Sequence, residues 1–137
     1  MTRILLAVDD SSGGVNAART AVRLARLLAG SVRAVHVASD TSAAGTVSTG
    51  DLRALGPEVA VLAYVRELAA AEGVPVETAL LTGEPARAIL DEAADWPADL
   101  IVVGRAGRHH VGEHYIGADV KHVLEFADRP VVVVPAA

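Results

Sequence analysis

The chain has no cysteine, and its 137 residues include one methionine, one tryptophan, one phenylalanine and two tyrosines. Without cysteine there is no disulfide scaffold, thiolate nucleophile, or Cys-ligated zinc or iron–sulfur site. Aromatics make up 3% of a sequence that is 52% apolar, so the core must be built from Val, Leu, Ile and Ala. No apolar run reaches the length of a membrane span, and no membrane association is expected. Positive charge is also scarce. The net charge is −5, and the arginines are scattered, which argues against a nucleic-acid binder with its basic patch. Neither G-x-x-x-x-G-K-[ST] nor G-x-S-x-G occurs, so a Walker-type NTPase and a nucleophile elbow are not indicated. Met1-Thr2-Arg3-Ile4 enters a strand-like run without an apolar leader, and a cytoplasmic location is expected.

What is present is alternation. Ile4 to Val8 predicts a strand buried on both faces, closed by the turn-forming residues 9–14. Val15, Ala18, Val22, Ala25 and Leu28 recur at helical spacing with Arg19, Arg23 and Arg26 opposite, and Gly30 stands where a C-terminal cap belongs. Val32 to Val37 predicts the second strand. Residues 39–56 are rich in Ser, Thr, Gly and Ala and have no period, as expected of a long connection or a lid. Pro57 is placed to start a helix whose stripe is Val61, Leu62, Val65, Leu68 and Ala69, and Gly73 and Pro75 stop it. Val76 to Leu81 is the third strand. Gly83-Glu84-Pro85 opens a helix with the stripe Ala86, Ile89, Leu90 and Ala93, ended by Pro97. Leu100 to Val103 reads as a central strand. Val120, Val123, Leu124 and Ala127 mark a last helix, and Val131 to Val134 a last strand.

Uninterrupted βαβ alternation predicts an α/β fold: one doubly wound domain over residues 1–137, with a five-stranded parallel sheet in the order 3-2-1-4-5. Ligands of such sheets sit at the carboxyl ends of the strands flanking the switch point. Here those are the first and fourth strands, which end at Asp9 and Gly104. Gly104-Arg105-Ala106-Gly107 leaves the fourth strand as a Gly-x-x-Gly turn, and Gly117 opens the last helix. Glycines admit close backbone approach, and a helix N-terminus adds free N–H groups. Together they suggest a phosphate cradle.

Gly104, Gly107 and Gly117 match the G-x2-G-x9-G spacing of the universal stress protein family. The chain also resembles that family in Ile4-Leu5-Leu6-Ala7-Val8-Asp9 followed by Ser11, in His36-Val37, in Gly83-x-Pro85, in Asp99 to Gly104 and in Pro130 to Val134. The resemblance implies an adenine nucleotide alpha hydrolase-like fold and a regulatory or binding module in stress response. It implies that Ala7, Val8, Asp9 and Ser11 meet the adenosine part of ATP and that Val37 lines the adenine pocket. Gly104, Arg105, Gly107, Arg108, Gly117, Ala118 and Asp119 would then surround ribose and phosphates. It further implies a homodimer paired through Val131 to Val134, a strand that would otherwise be an exposed sticky edge.

Two places depart from the family pattern. Ala118 replaces a Ser or Thr whose hydroxyl would meet a phosphate, and Asp119 and Asp10 add negative charge. In the first helical turn Asp119 is expected to gain about 0.3–1 kcal/mol from the dipole and to compete with a phosphate. Alternatively it would hold Mg²⁺ bridging to ATP. His109, His110, Glu113 and His114 cluster on a polar loop without a recognised metal geometry. Residues 12–17 partly match the SGGxDS loop of PP-loop ATP pyrophosphatases and fail at Asn16 and Ala17. The alternatives are a slow ATPase or PP-loop-like adenylating enzyme and a ligand-free dimeric interaction protein. No general base is evident, so efficient turnover is not expected. His36 reads as structural and Trp96 as packing at a helix end.

Overall fold

The first strand is dictated by a run of residues with no polar face. Ile4, Leu5 and Leu6 are all fully buried, which a strand achieves only when both faces of its sheet are covered. Each such side chain contributes about 1.5–3 kcal/mol relative to exposure. The structure, a computed structural model, describes residues 1–9, 12–38, 47–48, 60–105 and 117–135.

In chain order the elements are β1 (Arg3–Ala7), α1 (Ser12–Leu27), β2 (Ser31–Ala38), β3 (Val47–Ser48), α2 (Ala60–Ala71), β4 (Val76–Thr82), α3 (Pro85–Asp95), β5 (Leu100–Gly104), α4 (Ala118–Phe126) and β6 (Val131–Val134). The sheet order is β3-β4-β2-β1-β5-β6. Five strands are parallel and reproduce the expected 3-2-1-4-5 winding. The addition is β3, a two-residue antiparallel pairing on the outer edge of β4, inside the segment read as a bare connection. The rest of that segment and Pro57 lie outside the described residues.

Side chains alternate cleanly between the two faces. Ile4, Leu6, Val32, Ala34 and Val102 pack under α1 and α2. Leu5, Val35, Ile101 and Val103 pack under α3 and α4. This division follows from right-handed crossovers. The chain steps one way from β1 through β2 to β4, then jumps back to β5 and steps the other way to β6, so the helices change face at the jump.

Three local readings are corrected. The left-handed residue ending α1 is Ala29, with φ 51, while Gly30 N–H closes the cap on Ala25 C=O at 2.8 Å. Gly30 is small for another reason: a Cβ there would stand 2.4 Å from Thr2 C=O. Leu28 and Leu124, placed on buried stripes, are 48% and 44% exposed. Leu28 follows the last residue of α1 and leaves the helical phase. Beyond α4 no further helix among the described residues covers the outer flank. Finally, Ala127 is the C-cap of α4 and not part of it.

Two arginines that the sequence did not single out hold the lower half together. Arg33 reaches Glu92 of α3 at 2.9 Å and Glu77 of β4 at 2.8 Å, with little of its side chain exposed. Arg129 donates to Ala93 C=O and Ala98 C=O at 2.6 and 2.8 Å, closing the carbonyl end of α3.

Candidate functional site

β1 and β5 are neighbours, paired from Ile4↔Leu100 to Ala7↔Val103. Their carboxyl ends therefore open at one level of the sheet. From β1 come Ala7, Val8 and Asp9. Val37 stands on β2 two residues beyond the Val35 partner of Ala7, half-buried against the α3/α4 core. From β5 come Gly104 and Arg105, and from the start of α4 come Gly117, Ala118 and Asp119.

Backbone bonds tie these pieces together. Gly117 N–H donates to Arg105 C=O at 3.0 Å, and Arg105 N–H donates to Val134 C=O at 2.8 Å. The chain thus returns to the end of β5 before it enters α4. Gly117 is the N-cap and contributes no side-chain cap bond. A Ser or Asp there would fold back onto the first-turn amides, whereas glycine does not compete for them.

On the other side, α1 begins pressed against Asp9. A Cβ on Gly14 would lie 2.2 Å from Asp9 C=O and 2.9 Å from Asp9 Oδ1, so only glycine permits this approach. Asn16 Nδ2 donates to Pro135 C=O at 3.1 Å, which ties α1 to the end of β6. The Ser12 side chain lies outside the description.

At the start of α4, burial and the Glu84 carboxylate push the Asp119 carboxyl up, and nearby His122 offsets this only in part. Glu84 is itself the N-cap of α3, accepting from Ala86 N–H at 3.2 Å and Arg87 N–H at 2.8 Å. Two carboxylates therefore stand at the N-terminal ends of α3 and α4. The sequence carried a signal for the first of them: an acceptor side chain directly before a proline at the first helical position. Their proximity was not visible there.

Ser11, Gly107 and Arg108 lie outside the described residues, as do Asp10, His109, His110, Glu113 and His114. Among the described residues, no three His, Asp or Glu side chains gather as metal ligands, and no helix is long and apolar enough to cross a membrane.

A sequence model of the universal stress protein family matches residues 1–135. The chain belongs to that family. A universal stress protein of Methanocaldococcus jannaschii is 30% identical over 96% of this chain and 81% of its own. Among solved structures, universal stress protein UspA from Lactobacillus plantarum is 27% identical, with TM-score 0.79 over 97% of both chains. The universal stress protein from Archaeoglobus fulgidus, solved in complex with dAMP, is 25% identical, with TM-score 0.72 over 98% of both chains. The two solved structures are matched over 97% and 98% of this chain, so the fold correspondence spans nearly its whole length.

Proposed function

We propose that the chain is a one-domain, cytoplasmic binding and regulatory module of stress response that holds an adenine nucleotide between the ends of β1 and β5 and works as a homodimer. The observation that carries this reading is the backbone staple from Gly117 to Arg105. It returns an N-terminus whose cap lacks a side chain to the end of β5, the neighbour of the strand that leads to Asp9, and such strand ends are where a doubly wound fold opens its crevice. The dAMP complex of the Archaeoglobus relative supports the ligand class. In the proposed site Ala7, Val8, Asp9 and Ser11 meet the nucleoside and Val37 packs on the base. The amides near Gly104, Gly107 and Gly117 meet phosphate, with Arg105 and Arg108 supplying positive charge and Ala118 and Asp119 bordering it.

The carboxylates of Glu84 and Asp119 favour a second reading in which a triphosphate is excluded and the dimer acts without ATP. If ATP does bind, Mg²⁺ is the natural partner to screen Asp119. Adenylation on the α1 loop has less support, because Gly14 is spent on packing against Asp9 and Asn16 on Pro135.

Calorimetric titration with AMP and with ATP, each with and without Mg²⁺, tests the proposal. Saturable micromolar binding of AMP is expected, with ATP weaker unless Mg²⁺ is present. No heat from either nucleotide at millimolar concentration leaves the ligand-free reading. Joint replacement Ala118→Ser and Asp119→Ser should strengthen ATP binding about tenfold, equivalent to about 1.4 kcal/mol.

A further inference from the structure

The β1–β2 ladder stops one hydrogen bond short of where its register leads. Ser31 N–H donates to Thr2 C=O at one end and Val8 N–H to Val35 C=O at the other, at 2.8 and 2.9 Å. Between them the pairing is regular from Arg3↔Ser31 to Ala7↔Val35. In a parallel pair the next bond runs from Val37 N–H to Val8 C=O, and it is not made. The Val8 carbonyl instead faces Nδ1 of the partly buried His36 at 2.8 Å. A carbonyl only accepts, so the proton of this bond resides on Nδ1.

Peptide orientation alternates along β2. Val32 N–H donates to Pro75 C=O on the β4 side, so the even-numbered peptides face β4 and that of Val37 faces the line of β1. There β1 has ended and Asp9 begins the turn. Val37 is half-buried, and among the described residues no backbone acceptor meets its N–H; such a donor is rare unless something supplies an acceptor.

We propose that His36 is a positioning residue of the cleft: its imidazole takes the Val8 carbonyl out of the ladder and leaves the Val37 N–H as a donor to a ligand at the carboxyl edge. The ligand chemistry that fits is a flat heteroaromatic ring with an acceptor nitrogen on its rim, which rests on the nucleotide reading above. The Val37 side chain packs the ring and the amide orients it.

His36→Leu removes the imidazole donor, and His36→Asn returns a donor near the place of Nδ1. Residue-resolved amide hydrogen exchange of the ligand-free protein is the first readout. The Val37 amide should exchange about tenfold more slowly in His36→Leu, where Val8 C=O recaptures it, and return toward the wild-type rate in His36→Asn. Calorimetry with AMP is the second, with affinity expected to fall about tenfold in His36→Leu and to recover in His36→Asn. Equal Val37 protection in wild type and His36→Leu overturns the proposal, as does undiminished AMP affinity in His36→Leu. If wild type binds no AMP but the exchange rates differ as expected, the nucleotide reading falls and the role of His36 in opening the ladder stands.

Discussion

Ala29 and Gly30 are neighbours with opposite requirements. Ala29 carries the positive φ, which costs a residue with a Cβ about 1–2 kcal/mol. Gly30 avoids a collision with Thr2. Ala29→Gly should therefore raise stability by about 0.5–1 kcal/mol after the entropy of an added glycine is offset. Gly30→Ala should lower it by about 1–3 kcal/mol. Urea denaturation of both variants checks the pair, and reversed signs would overturn the assignment. A cap argument from sequence alone chooses Gly30, because the clash with Thr2 joins residues 28 positions apart. Asp119 offers a second test at this scale. Its carboxyl is pushed up by burial and by Glu84, so its charged form is worse off folded than unfolded. The penalty is full above the folded pKa and disappears as pH falls below the unfolded one. Asp119→Asn should be more stable than wild type at neutral pH, and the two unfolding midpoints should converge in acid. A constant difference across that range would contradict the cause given.

At the scale of elements, α3 depends on charges brought from far along the chain. Arg129 satisfies the Ala93 carbonyl in its last turn and the Ala98 carbonyl just beyond it, and Arg33 binds Glu92 from beneath. Arg129→Met should cost about 2–3 kcal/mol, because both carbonyls lose a charged donor. Arg129→Lys should recover part of that loss. Thermal unfolding distinguishes them, and equal stability of the two variants would show that the bonds contribute little. Neither arginine stood out in the sequence, where both look like scattered surface charge. The helices themselves were plain from their stripes, since Val61, Leu62, Val65 and Ala69 in α2 and Ala86, Ile89 and Ala93 in α3 are buried as the spacing requires. Periodicity fails at Leu28 because the helix ends one residue before it, and at Leu124 because phase says nothing of how far the neighbouring layer extends.

For the whole molecule, β6 forms the edge of the sheet among the described residues. Arg105 N–H donates to Val134 C=O and Ile101 N–H to Pro130 C=O. By alternation, the even-numbered peptides of β6 face β5 and those of Val131 and Val133 face outward. The proposed homodimer would use the outward set. Val133→Pro removes one outward N–H and should give a folded monomer by sedimentation at micromolar concentration. Val132→Pro removes a ladder bond to β5 and should destabilise the fold itself. A Val133→Pro protein that stays dimeric would place the contact elsewhere.

The fold is legible in the residues alone, because it follows from local patterns. Strand–helix alternation sets the winding and right-handed crossovers set the faces, and the same winding directs the proposed cleft to the strand ends at Asp9 and Gly104. What those ends meet depends on tertiary packing. The pressure of Gly14 on Asp9, the staple from Gly117 to Arg105, the repulsion between Glu84 and Asp119 and the bond from His36 to Val8 all join residues distant in the chain or turned by backbone geometry. Such contacts depend on packing distance, which no periodicity encodes.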